Sequence, residues 1–128
     1  MTTRTLEIII PQRLWMTSNH RLSWQAKSRR SRELRELAHW SCRAHRLKPM
    51  KRARVFVDIQ YPTQHPSDPS NAEPTFKPLI DGMIDYGVLI DDSWQYLEGP
   101  YPRRADGLSK RGFHVMRFEF VPLEALAR

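Results

Sequence analysis

Cysteine is almost missing from this 128-residue chain, where Cys42 stands alone. A single thiol excludes an internal disulfide and any cysteine-built zinc cluster, and it suits a reducing cytosol. Long apolar runs are missing as well. The run Ile8–Ile10 falls far short of the roughly 20 residues of a spanning helix and is too short for a signal-peptide core. No membrane partner is therefore expected. Glycine-rich phosphate loops, nucleophile elbows and zinc signatures do not occur, and His20, His39, His45, His65 and His114 show no metal-ligand spacing. No small-molecule cofactor is expected on that basis. There are no internal repeats, and the length suits one domain, residues 1–128, with a core of its own.

Acidic residues are scarce where basic ones are abundant. Between Arg21 and Arg54, twelve Lys and Arg side chains face only Glu33 and Glu36, so this stretch carries more than the whole net charge of +7. Between Asp68 and Asp92 the balance reverses: Asp68, Glu73, Asp81, Asp85, Asp91 and Asp92 surround a single cation, Lys77. Lys and Arg hold phosphate backbones, while hard divalent metals need oxygen ligands. The combination points to a metal-dependent nuclease.

The chain reads as a small α/β (α+β) domain, a mixed sheet packed with two main helices, its strand order open. Leu6–Ile10 reads as a buried strand ended by Pro11. Ser23–Leu47 lacks Gly and Pro and is rich in helix formers. It places Leu34, Leu37, Ser41 and Ala44 on a narrow apolar stripe under a basic surface. Arg54–Gln60 alternates as a half-buried strand. A proline-rich loop, Tyr61–Pro74, precedes a second helix capped by Thr75, with Pro78 in its first turn, running to Tyr86 and stopped by Gly87. Its core face carries Phe76, Leu79, Ile80 and Met83, and its other side Lys77, Asp81 and Asp85. Strands follow near Trp94–Glu98 and Gly112–Val121, joined by a polar loop with Arg103, Arg104, Lys110 and Arg111.

One helix separates Asp68 from Asp91–Asp92, so the two ends of this segment can fold back toward each other. Two or three converging carboxylates would hold Mg²⁺, and Lys77, a turn before Asp81, would stabilise the transition-state oxyanion or orient the attacking water. The plainer alternative stays open: Asp68 as a turn former, Asp81 paired with Lys77, and Asp91–Asp92 as a solvated turn. The basic helix, including Arg29 and Arg30, and the arginine-bearing loop are expected to track DNA phosphates. Trp15 and Trp24 are expected as core or dimer-interface anchors, and His39 and His45 on the exposed side of the basic helix.

Asp68-Pro-Ser-Asn71, Pro74-Thr-Phe-Lys77, Ile80-Asp81-Gly82 and Asp85-Tyr-Gly-Val-Leu-Ile-Asp91-Asp92 together resemble the RusA-type Holliday-junction resolvases, small endonucleases common in prophages and bacteriophages. The spacings from Lys77 to Asp81 and from Asp81 to Asp91–Asp92 reproduce the family's. Pro11 followed by Thr17-Ser18-Asn19 resembles the segment that ends the family's first strand. The resemblance implies a homodimer cutting four-way junction DNA with Mg²⁺ (Mn²⁺ in its place), in bacterial or phage-infected cytoplasm. It implies Asp68, Lys77 and Asp92 as catalytic residues and Asp68, Asp91 and Asp92 as metal ligands. It places Asn71 beside the acidic pair and, with Asn19, near DNA. One position departs from the pattern: Ser70 stands where the family has its second aspartate, leaving Glu73 or Asp81 to supply the carboxylate.

Overall fold

Buried residues at every second position of three strands build the sheet. In the computed structural model, which describes residues 2–126, the strands are β1 (Arg4–Pro11), β2 (Ala53–Gln60), β3 (Leu97–Arg104) and β4 (Phe113–Pro122). They lie in the order β1-β4-β2-β3. β4 pairs antiparallel with both β1 and β2, and β3 runs parallel to β2 at the edge. Leu6, Ile8 and Ile10 of β1, Val55, Val57 and Ile59 of β2, and Met116, Phe118 and Phe120 of β4 point to one face and are buried. Two helices, α1 (Trp24–Ala44) and α2 (Glu73–Tyr86), complete the same hydrophobic core. The fold is thus α+β, a mixed four-stranded sheet packed with two main helices. No helix among the described residues is long and apolar enough to cross a membrane.

Local chemistry sets the helix ends. The Ser23 hydroxyl accepts from the Ala26 N–H and caps α1, which stops at Ala44 rather than Leu47. Its buried stripe is Leu34, Ala38 and Cys42, so Ser41 and Ala44 fall outside it and Leu37 packs only partly. Burial pushes the Cys42 thiol up to about 12, which makes it an inert packing residue. α2 starts two residues before Thr75. Thr75 does not cap it: the side chain is buried, accepts from Met16 N (2.8 Å) and donates to Met16 O (2.7 Å). Pro78 therefore lies inside the helix, past its first turn. Gly87 ends α2 at φ +101°, a left-handed conformation suited to glycine.

The proline-rich segment before α2 contains a 3-10 turn at Pro69–Ala72. Residues 94–96 form a turn instead of a strand, and β3 begins at Leu97 and includes Arg103 and Arg104, which are therefore not in a loop. Trp24 is 78% exposed and belongs to no core, and His39 is half-buried against Tyr86.

Trp15 is buried and stacks on His114, with ring centroids 3.6 Å apart and planes 5° off parallel. Tyr61 meets both edge-on. The buried His114 Nδ1 has no hydrogen-bond partner among the described residues, and burial lowers the imidazole from 6.5 to about 4. Unfolded chains then bind a proton that folded chains refuse between those two values. Stability should accordingly be full above pH 6.5 and fall as pH drops toward 4, by about 3 kcal/mol at most from this residue. Urea midpoints measured from pH 7 to pH 4 would show that decline. His114→Phe, which keeps a ring on Trp15, should flatten it; an unchanged slope would remove His114 as its source.

Candidate active site

α2 presents its polar side away from the core, and Lys77 stands at its centre. The Lys77 ammonium donates to Asp81 Oδ1 at 3.0 Å, one turn on, and to Asp92 Oδ2 at 2.5 Å. Asp92 reaches it because the chain turns back after α2. Gly87 N–H and Val88 N–H both bond to Met83 O, and Val88 and Leu89 are buried. Met50 N–H also fixes the carbonyl of Val88 at 2.9 Å. Asp91 and Asp92 emerge exposed from that anchored turn.

The cluster's charges reinforce one another. The hydrogen bond from Lys77 holds the Asp92 carboxyl below its ordinary 3.8. Partial burial works against the Lys77 ammonium, but its bonds to Asp92 and Asp81 outweigh that and raise it above 10.5. Lys77 is therefore a cation throughout the neutral range and cannot serve as a proton acceptor there. Asp85, expected along the same side, is used elsewhere: it forms a two-pronged ion pair with Arg35 of α1 that lowers its carboxyl.

Asp68 has a different neighbourhood. Its carboxylate accepts from the Ser70 backbone N–H (3.0 Å), which with the Ser70 hydroxyl holds it below 3.8. It is not a polar partner of Lys77 or Asp92. The loop before it is clamped by Arg104, whose guanidinium lies over the Tyr61 ring and donates to the carbonyls of Thr63 (2.8 Å) and His65 (2.9 Å). The segment after β1 does meet this region. Ser18 N–H donates to Asn71 O at 2.9 Å, and the Met16–Thr75 bonds lie alongside, so Thr17-Ser18-Asn19 is tied to the start of α2. Asn19 is exposed and Asn71 half-buried.

The four arginines assigned to DNA differ. Arg29 is exposed, and its side chain makes no ion pair among the described residues. Arg30 donates to Trp15 O. Arg103 grips Asp58 (2.6 and 3.1 Å) and reaches Glu119 on the sheet face away from the helices. Arg104 belongs to the loop clamp. Three of the four thus have internal partners, which sequence alone does not reveal.

A groove of about 470 Å³ runs between α1 and α2, with Lys27, Arg32 and Arg35 on one wall and Glu73, Lys77 and Asp81 on the other. Residue spacing alone does not reveal this groove, nor the contact of α2 with α1 at Gly82. A glycine inside a helix costs about 1 kcal/mol relative to alanine, so Gly82 signalled a close approach. A Cβ there would lie 2.1 Å from Arg35 O.

Among the described residues no three His, Cys, Asp or Glu side chains converge into a ready cage for a metal. Mg²⁺ usually binds through one or two carboxylates, completing its shell with water and substrate phosphate. Asp92 and Asp91, adjacent and exposed after α2, are two carboxylates of that kind and would hold the ion, whereas Asp81 faces Asp92 across the Lys77 ammonium. No protein-family model matches the chain, and no curated protein matches it.

Proposed function

We propose that the chain is a RusA-type, structure-specific endonuclease that acts as a homodimer on four-way DNA junctions in bacterial or phage-infected cytoplasm. It hydrolyses phosphodiesters with Mg²⁺, or with Mn²⁺ in its place. The observation that carries this is the cluster in which Lys77 joins Asp81 and Asp92 beside a groove walled by the basic helix α1. Those residues stand at the spacings through which the sequence resembles the family. Asp92 with Asp91, or with Asp68, would hold Mg²⁺, which when bound would supply charge neutralisation at the phosphate and a more acidic water. Asp92 needs no deprotonation to serve as a ligand at neutral pH. Lys77, fixed as a cation, offers positive charge to a phosphate oxygen as negative charge grows there.

A second reading, a DNA-binding protein of the same fold that does not cut, draws support from two details. Ser70 brings a hydroxyl where the family pattern has a carboxylate, and Asp68 is turned toward the backbone of its own turn.

The test uses a labelled synthetic four-way junction and a matched linear duplex, each incubated with and without Mg²⁺. Paired symmetric nicks in the junction alone, abolished by EDTA, are the expected result. Selective binding without nicks in either Mg²⁺ or Mn²⁺ selects the second reading. If the protein neither binds nor nicks the junction, both are wrong.

A further inference from the structure

We infer that the groove between α1 and α2 seats the phosphodiester backbone of the strand to be cut, with Lys27 and Arg32 as its phosphate contacts. The inference rests on the nuclease proposal and adds the surface that delivers the substrate to Lys77.

The argument comes from which donors already have partners. Five polar side chains of α1 line the groove: Lys27, Ser28, Ser31, Arg32 and Arg35. They fall in two adjacent rows at i, i+4 spacing, Lys27-Ser31-Arg35 and Ser28-Arg32, on one side of the helix. Arg35 is committed to Asp85, and across the groove Lys77 is committed to Asp81 and Asp92. Lys27 and Arg32 form no ion pair among the described residues. The Ser28 and Ser31 hydroxyls likewise make no side-chain hydrogen bond there.

Two unpaired cations and two unpartnered hydroxyls therefore face the groove that holds Lys77. Lys, Arg and Ser are side chains that bind phosphate oxygens without reading bases. From Lys27 to Arg32 the helix rises about 7.5 Å, enough to separate two contacts along one strand. The opposite wall carries Glu73 and Asp81. Lys77 of that wall is already paired, so the unpaired cations of α1 grip the backbone as it reaches Lys77.

The experiment measures junction binding and cleavage for the wild type, Lys27→Ala/Arg32→Ala, the charge-keeping Lys27→Arg/Arg32→Lys, and Lys51→Ala. Lys51 is exposed near the start of β2 and is not among the groove's residues. Alanine is the best helix former and neither lysine nor arginine has an ion pair to lose, so the double variant should fold. Its plot of log binding constant against log salt should be shallower by about 2, at about 0.9 per phosphate contact. KM should rise while kcat stays within a few-fold of wild type, and the charge-keeping pair should recover most of the slope.

A wild-type slope in the alanine pair, or an equal loss in Lys51→Ala, overturns the groove assignment while leaving the nuclease proposal standing. If the wild type binds the junction without cutting it, the proposed catalysis fails and the same slopes still decide the groove. If the wild type does not bind at all, both fall together.

Discussion

Gly82→Ala should lower the melting temperature by about 10 °C, even though alanine is the better helix former. A Cβ at position 82 would lie 2.1 Å from the backbone oxygen of Arg35 and 2.9 Å from Ala38 Cβ. The first neighbour is main chain, so no side-chain rotation relieves the clash and α1 must shift bodily. Overpacking of this kind costs about 3 kcal/mol, whereas the gain in helix propensity is only about 1 kcal/mol. The clash wins, and the net loss is near 2 kcal/mol. At about 4–5 °C per kcal/mol for a domain of this size, that gives the stated shift. Thermal melts followed by circular dichroism would measure it. A melt at or above wild type would mean the helices have slack at their crossing. The same displacement would part Arg35 from Asp85 and widen the groove, so junction affinity should fall alongside stability.

How much of this was legible depended on whether local or distant contacts decide each feature. β2 shows clean alternation, and β1 and β4 carry large apolar residues at every second position, so all three are legible to within a few residues of their ends. β3 was misplaced because Leu-Glu-Gly-Pro-Tyr-Pro-Arg-Arg holds a glycine and two prolines, which argue against a strand. It survives because it is an edge, paired only with β2, where a missing N–H can face solvent. The α1 stripe was read one residue off. Ala38 and Cys42 are small apolar residues buried against α2, while the neighbouring Leu37 only skirts the core. Thr75 looked like a cap, since nothing nearby in sequence shows that Met16 takes both its donor and its acceptor.

The candidate site divides the same way. Lys77 and Asp81 are one helical turn apart and were readable from spacing. Asp92 beside Lys77 follows from the turn after Gly87, in which Val88 and Leu89 are buried and Ile90 is exposed, a difference that the apolar run Val88–Ile90 does not reveal. The internal partners of Arg30, Arg103 and Arg104 are long-range, and charge counting alone placed all three at the DNA surface. Asp68 and Ser70 form a local turn, the plainer alternative allowed by their spacing.

Lys77→Met should reduce junction cleavage by at least about 10²–10³-fold, and Asp92→Asn should abolish it, while both proteins stay folded. The ion pairs involved are exposed: the Lys77 side chain is 44% and that of Asp92 46% accessible. Pairs of this kind contribute about 0–1 kcal/mol to stability, so neither substitution should move the melting temperature by more than a few degrees. A larger shift would mark the cluster as structural support. The two variants should part in binding. Lys77→Met removes a positive charge from the groove and leaves Asp81 and Asp92 with no cation between them, so junction affinity should drop. Asp92→Asn removes a negative charge that opposes phosphate and frees Lys77 from one partner, so affinity should hold or rise. Titrating the labelled junction in Ca²⁺ or EDTA separates binding from cleavage. If Asp92→Asn still cuts in Mg²⁺, the carboxylate that matters lies elsewhere, and Asp81, the other partner of Lys77, becomes the next residue to change.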